Sequence, residues 1–182
     1  MSATTQQLYE ETLVLRSQIG DEAAFRELLT LYGPHLLRFT SRMMESAPGQ
    51  VEDLMQEIWV AIFRGLPGLL DASKFRPWAF RIARDRIYRE YRRRKIIVEP
   101  IADCEELMPD TEEATVALDA EELHRGLGCI PPEQREVLVL RFFEEMSYEE
   151  IARVTGRTVG TIRSRIHYAK RALKNALERK TI

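Results

Sequence analysis

Cysteine is scarce in this chain. Cys104 and Cys129 are the two among 182 residues, they stand far apart, and neither belongs to a CxxC pair. A disulfide framework or a zinc knuckle therefore has no ligand set to build on, and the composition suits a reducing cytosol. Long apolar runs are missing too. None approaches the roughly 20 residues that a helix needs to cross a bilayer, so no membrane insertion is expected. The opening "MSATTQQLYEE" lacks the basic start and apolar centre of a secretory signal. Sustained strand-like alternation is absent, whereas apolar residues recur at helical spacing nearly everywhere. There is no P-loop, no Ser–His pair and no convincing cluster of metal ligands. The expectation is a soluble, cytoplasmic, all-α protein with no cofactor, no metal and no catalytic residue.

Charge of one sign is also lacking, since the formal net charge is only −2. Its distribution says more. Residues 75–95 hold nine Lys/Arg against Asp85 and Glu90 alone. Residues 99–122 hold ten Asp/Glu and no basic residue, and residues 157–180 hold eight Lys/Arg against Glu178. Two basic blocks flank an acidic one, an arrangement that the whole-chain charge hides.

The apolar spacing predicts a first long helix from about Asp21, a good N-cap, with Phe25, Leu28, Leu29, Tyr32, Leu36, Phe39 and Met43 on one side. Gly33-Pro34 falls inside it. Proline within a helix costs about 3 kcal/mol, so a kink or break is expected there. "APGQ" at 47–50 predicts a turn. A second helix follows with Val51, Leu54, Met55, Ile58, Ile62 and Leu66 in a stripe; "GLPGLLDAS" predicts a loop, and a third helix runs from about Phe75 to Lys95. From Ile96 to Thr115 periodicity stops in an acidic stretch with two prolines, which predicts a linker. A second helical set is expected over about 116–128, 132–145, 147–155 and 158–178. The organisation is two small helical domains, 1–95 and 116–182, joined by an acidic linker at 96–115.

Near the C-terminus, "SYEEIARVTGRTVGTIRSRIHYAKRAL" predicts two short helices around a tight turn. Ser147 and Glu150 form a capping box, Gly156 permits the left-handed end of the first helix, and Thr158 can cap the second. Val159, Ile162, Ile166, Ala169, Leu173 and Ala176 share one face of that helix. Arg163, Ser164, His167, Lys170, Arg171 and Lys174 share another. A cationic, hydrogen-bonding face suits a major-groove reader in a helix-turn-helix, although a solvated basic face has the same composition. The motif does not say which class of DNA-binding protein uses it.

The segment "QVEDLMQEIWVAIFR", residues 50–64, sets Glu52, Asp53, Gln56 and Glu57 opposite its apolar stripe, around Trp59. Such a run is usually a solvated face. Asp53 and Glu57 one turn apart could also serve a metal-dependent hydrolase, but two carboxylates without nearby His or further Asp make a poor catalytic site. Next, "KFRPWAFRIARDRIYREYRRRK" interleaves aromatics with arginines, the combination that holds phosphates and stacks unpaired bases. Trp78, Ile82, Ala83 and Ile87 are expected to pack inward. Phe80 and Tyr88, on the side of Arg84, are expected to be exposed.

These segments, with "PPEQREVLVLRFFEEMSYEEIARVTGRTVGTIRSRIHYAKRAL" after them, resemble the extracytoplasmic-function (ECF) sigma factors of bacterial RNA polymerase. The resemblance covers roughly 21–95 and 116–177, and implies sigma region 2, the linker and sigma region 4 in that order. It implies a promoter-specificity subunit, not an enzyme, whose partners are core RNA polymerase and promoter DNA. An anti-sigma factor is a further partner it leaves open. Asp53, Gln56, Glu57 and Trp59 would dock on the clamp helices of the polymerase largest subunit. The loop from about Gly65 to Lys74 would capture a flipped minus-ten base. Lys74, Arg76, Phe80, Arg81, Arg84, Tyr88 and Arg92 would engage the minus-ten strand. Thr158, Thr161, Arg163, Ser164, Arg165, His167, Lys170 and Arg171 would serve the minus-thirty-five element, and the acidic linker would thread toward the polymerase cleft and RNA exit path. Asp85 and Arg89 depart from the Asn and Asp frequent in the family, and Glu145 stands where a small turn residue is common. A stand-alone helix-turn-helix regulator is the alternative, and it would leave the acidic face and linker without a role.

Overall fold

The computed structural model describes residues 3–44, 48–94 and 120–178. The segment expected to be the acidic linker, residues 96–115, lies outside the described residues. Every regular element among the described residues is helical, so the fold is all-α. The chain divides into two compact units, Met1–Glu90 and Tyr91–Ile182.

The first unit holds four helices: α1 (Ala3–Gln18), α2 (Glu22–Met43), α3 (Pro48–Gly65) and α4 (Phe75–Arg93), whose last turn crosses the division. Helix α1 went unseen in the apolar periodicity because it buries little: Leu13 and Val14 are sealed, while Leu8 and Leu15, and Ile19 just beyond its end, face water. Side-chain pairs four residues apart, Gln6 with Glu10 and Gln7 with Glu11, support its exposed side. Asp21 caps α2 as expected, its carboxylate accepting from the Ala23 and Ala24 amides. The Ala24 amide first, and then the Arg16 guanidinium, hold this carboxyl below the usual carboxylate range.

Helix α2 does not break at Gly33-Pro34. Pro34 and Thr30, whose carbonyl loses its partner, are both exposed, so water can satisfy that carbonyl and tertiary packing carries the helix through. Leu28, Tyr32, Leu36, Phe39 and Met43 line its buried side, while Phe25 and Leu29, expected with them, are half-buried; the expected stripe of α3 is buried as well. Between α3 and α4 run two single 3₁₀ turns, Leu66–Gly68 and Ala72–Lys74.

The second unit holds α5 (Ala120–Gly128), α6 (Pro132–Leu138), α7 (Tyr148–Thr155) and α8 (Val159–Glu178). Helix α6 widens into a π-helical turn over Val139–Phe143. Pro132 opens α6, where its missing N–H costs nothing. The buried Arg135 guanidinium donates to the Leu127, Gly128 and Ile130 carbonyls, so one cation fastens the end of α5 to α6. Helices α5, α6 and α7 all pack on α8. At Gly126 even a methyl group would lie 2.7 Å from a Leu177 methyl, so α5 and α8 meet closely there.

Candidate functional site

Three surfaces gather the residues singled out in the sequence. The first is the outer face of α3. With the apolar stripe turned inward, Glu52, Asp53, Gln56 and Glu57 are all exposed. Glu57 stands 3.9 Å from Arg86 of α4. Trp59 is half-buried and meets Phe25 of α2 edge to face, with centroids 6.1 Å apart. Phe63 packs on the same Phe25 at 5.1 Å yet remains 59% exposed, and Val60 is exposed beside it. Sequence reasoning missed Val60 and Phe63. Their signal was their spacing, four and seven residues beyond Gln56. The face is therefore acidic at its N-terminal end and apolar at its C-terminal end.

The second surface is the 65–74 loop with α4. Gly65 ends α3 against the Trp78 indole, where a Cβ would stand 3.0 Å from the ring. Asp71 Oδ1 accepts from the Ser73 amide and hydroxyl, and Lys74 sits 3.8 Å from the Asp71 carboxylate. Leu70, between these anchors, is wholly exposed.

The inward face of α4 differs from expectation. Phe80 is 0% exposed and meets Phe39 edge to face at 5.4 Å. Tyr88 is 8% exposed, with the Arg84 guanidinium 4.4 Å from its ring centroid. Trp78 and Ile82, expected inside, are only half-buried. The reason lies in the choice between two neighbouring stripes. Phe80, Ala83, Ile87 and Tyr91 follow helical spacing and are buried, as is Ala79. Extracting Phe80 would forfeit about 1.5–3 kcal/mol of burial and leave a cavity, at least as much as one base stack returns at about 1–3 kcal/mol. Phe80 is thus a core residue. The outer face of α4 consists of Arg81, Asp85, Arg89, Arg92 and Arg93, with Arg76, Arg84 and Arg86 half-buried.

The third surface is the helix-turn-helix. Ser147 and Glu150 form the expected capping box: each backbone N–H donates to the other's side chain, at 2.9 and 3.1 Å. Gly156 takes φ 69° and closes α7. Thr158 Oγ1 accepts from the Thr161 amide and starts α8. Along α8, Arg163, Arg171 and Lys174 are exposed and His167 and Lys170 half-exposed, forming one stripe. Two cations on it are braced by aromatics. Arg163 lies 5.7 Å from the Tyr148 ring centroid, and Lys170 lies 5.3 Å from that of Phe142.

Three residues expected on this reading face are buried instead. Thr161 and Ser164 are turned inward, the Ser164 hydroxyl donating to the Thr161 carbonyl at 3.0 Å. Arg165 is 2% exposed and pairs with Glu133 of α6 at 3.0 Å. Its charge serves the interior of the unit. Thr158, Arg163, His167, Lys170 and Arg171 remain available at the surface.

Among the described residues no group of three or more His, Cys, Asp or Glu is placed to hold a metal ion, and no helix is long and apolar enough to cross a membrane. Cys129 is exposed and unpaired with any other cysteine.

Comparison with known proteins matches residues 28–96 to the Sigma-70 region 2 family and residues 120–173 to the Sigma-70, region 4 family. The ECF RNA polymerase sigma factor SigF of Caulobacter vibrioides (strain NA1000 / CB15N) is 34% identical over 171 residues, spanning 93% of this chain and 94% of that protein. The ECF RNA polymerase sigma-E factor of Escherichia coli (strain K12) is 31% identical over 192 residues, spanning 96% and 97%. Among solved structures, CnrH in complex with the cytosolic domain of CnrY is similar with a TM-score of 0.71 and 25% identity, over 93% of this chain and 97% of that one. The sigma factor RpoE in complex with the anti-sigma factor NepR, from Bartonella quintana, follows at 0.67 and 26%, over 85% and 96%.

Proposed function

The chain belongs to the ECF sigma factors of RNA polymerase, and we propose how its surfaces divide the work of promoter recognition. As a sigma factor it directs promoter-specific transcription initiation. The face of α3 docks on the clamp helices of the polymerase largest subunit, with Asp53, Gln56 and Glu57 as its polar end and Trp59, Val60 and Phe63 as its apolar end. The mixed character of that face supports this, since an interface core is depleted in charge and its rim is polar. The 65–74 loop receives the flipped minus-ten base, and Arg81, Arg84, Arg92, Lys74 and Arg76 hold the strand around it.

The observation that carries the reading is the α8 stripe. A helix-turn-helix with its cap, turn and apolar face in order leaves Arg163, His167, Lys170 and Arg171 directed away from the core. These residues, with Thr158, read the minus-thirty-five duplex in the major groove. Residues 1–95 and 116–182 act as the two promoter-reading domains, and 96–115 as the acidic tether that enters the polymerase cleft, where its carboxylates occupy a path built for polyanionic RNA. The protein has no turnover of its own and works in the cytoplasm. The complexes of the similar structures support an inhibitory anti-sigma protein as a second partner.

The docking assignment is tested by replacing Asp53 and Glu57 together with Ala. Both side chains are exposed, so the fold is expected to be unchanged by circular dichroism, while competition for core polymerase weakens clearly. A double variant that competes as well as wild type removes the docking site from α3.

A further inference from the structure

We propose that Gln18, at the end of α1, is a positioning residue that holds the 66–70 loop in the shape that receives the unpaired minus-ten base; this rests on the reading of that loop given above. The Gln18 carboxamide crosses from α1 to a loop 48 residues away in sequence. Its Nε2 donates to the Leu66 carbonyl at 3.0 Å and to the Leu69 carbonyl at 2.7 Å. Both hydrogens of one amide thus span a single turn, which has one backbone bond of its own, from the Leu69 N–H to the Leu66 carbonyl at 3.1 Å. The chain just beyond is fixed independently by the Asp71 carboxylate on Ser73. The chain just before rests at Gly65 on Trp78.

Leu70 lies between these fixed points and is 101% exposed. An apolar tip held fully in water on a tied backbone contributes nothing to folding, but it offers a ready surface to the face of a base. Preorganisation of this kind lowers the ordering cost of capture. The chemistry at position 18 is specific. Two carbonyls converge there, so the side chain must bring two donors and no negative charge. Glutamate has the same shape and neither property.

The test uses wild-type and Gln18→Glu holoenzyme with single-stranded oligonucleotides of the protein's own mapped minus-ten element, carrying an abasic site at each position in turn. Wild type is expected to show one position at which the abasic site weakens binding about tenfold, the worth of a stacked base. Gln18→Glu is expected to weaken the intact oligonucleotide by a similar factor and to lose most of that abasic penalty, because the two changes remove the same contact. Gln18→Met, of similar length but uncharged and without donors, is expected to behave alike, which separates the lost donors from the added charge. Core competition and minus-thirty-five duplex binding are expected to stay at the wild-type level. If either variant keeps the full abasic penalty, Gln18 does not position the loop and the proposal falls. If wild type shows no abasic-sensitive position at all, the loop reading itself fails and this inference with it.

Discussion

Arg163 and Arg165 are two residues apart on α8, a rotation of about 200° around the helix axis. One faces solvent beside Tyr148; the other closes on Glu133 inside the unit. The same substitution should therefore have opposite readouts. Arg163→Ala is expected to leave the melting temperature nearly unchanged and to cost about 1–3 kcal/mol in minus-thirty-five binding. Arg165→Ala strands the Glu133 carboxylate with 12% of its side chain exposed, and is expected to cost about 3–5 kcal/mol of stability. Thermal melts and duplex titrations of both variants decide the matter. A stable Arg165→Ala variant with a selective DNA defect would return that residue to the reading face. The misplaced arginine and aromatics share one cause. Arginine and tyrosine are amphipathic, and a phenylalanine ring can stack on a base as well as fill a core, so identity alone does not say whether Arg165, Tyr88 or Phe80 lies in or out. That depends on which of two adjacent stripes the neighbouring helices cover.

At the scale of elements, caps were the most legible features, because their chemistry is local, whereas the turn expected at 47–50 is already the first turn of α3 from Pro48 on. The Ser147–Glu150 box, Gly156, Asp21 and the Pro132 start all sit where the sequence puts them. Helix α1 was illegible because its stabilising contacts are non-local: it packs chiefly on α2, and the Tyr32 hydroxyl of α2 donates to Glu10 at 2.5 Å. Continuity through Pro34 was hidden as well, since it depends on the exposure of Thr30 rather than on local propensity. Glu145 is the one non-glycine residue with positive φ, at 52°, among the described residues. Its side chain is exposed, so burial of that side chain does not offset the cost of the left-handed backbone. Glu145→Gly is expected to stabilise the protein by about 1 kcal/mol, read as a raised melting temperature with promoter binding unchanged. A lower melting temperature would mean that the Glu145 side chain contributes more than its backbone strain costs.

At the scale of the whole molecule, the chain spans nearly the full length of the relatives it matches, and its charge is organised in blocks that a net value of −2 conceals. Most residues of the two basic blocks fall on α4 and α8, and the acidic block lies in the sequence between them. The all-α class and the sequence positions of these surfaces were legible because helical periodicity and charge runs are properties of sequence windows. The apolar extension of the α3 face by Val60 and Phe63 was not, because exposed and buried apolar residues look alike until the packing of Phe25 is known. Nor was the clamp from Gln18, whose partners are carbonyls about 50 residues distant.

Division of labour between polymerase docking and promoter reading is the central claim, and run-off transcription tests it most directly. Core RNA polymerase is incubated with pooled genomic fragments, including the DNA upstream of this protein's own gene, with and without the protein. Discrete transcripts that require both components are expected, starting downstream of a shared pair of sequence elements. Their absence, together with tight specific binding of the protein alone to duplex DNA, would contradict the account and leave a stand-alone helix-turn-helix regulator.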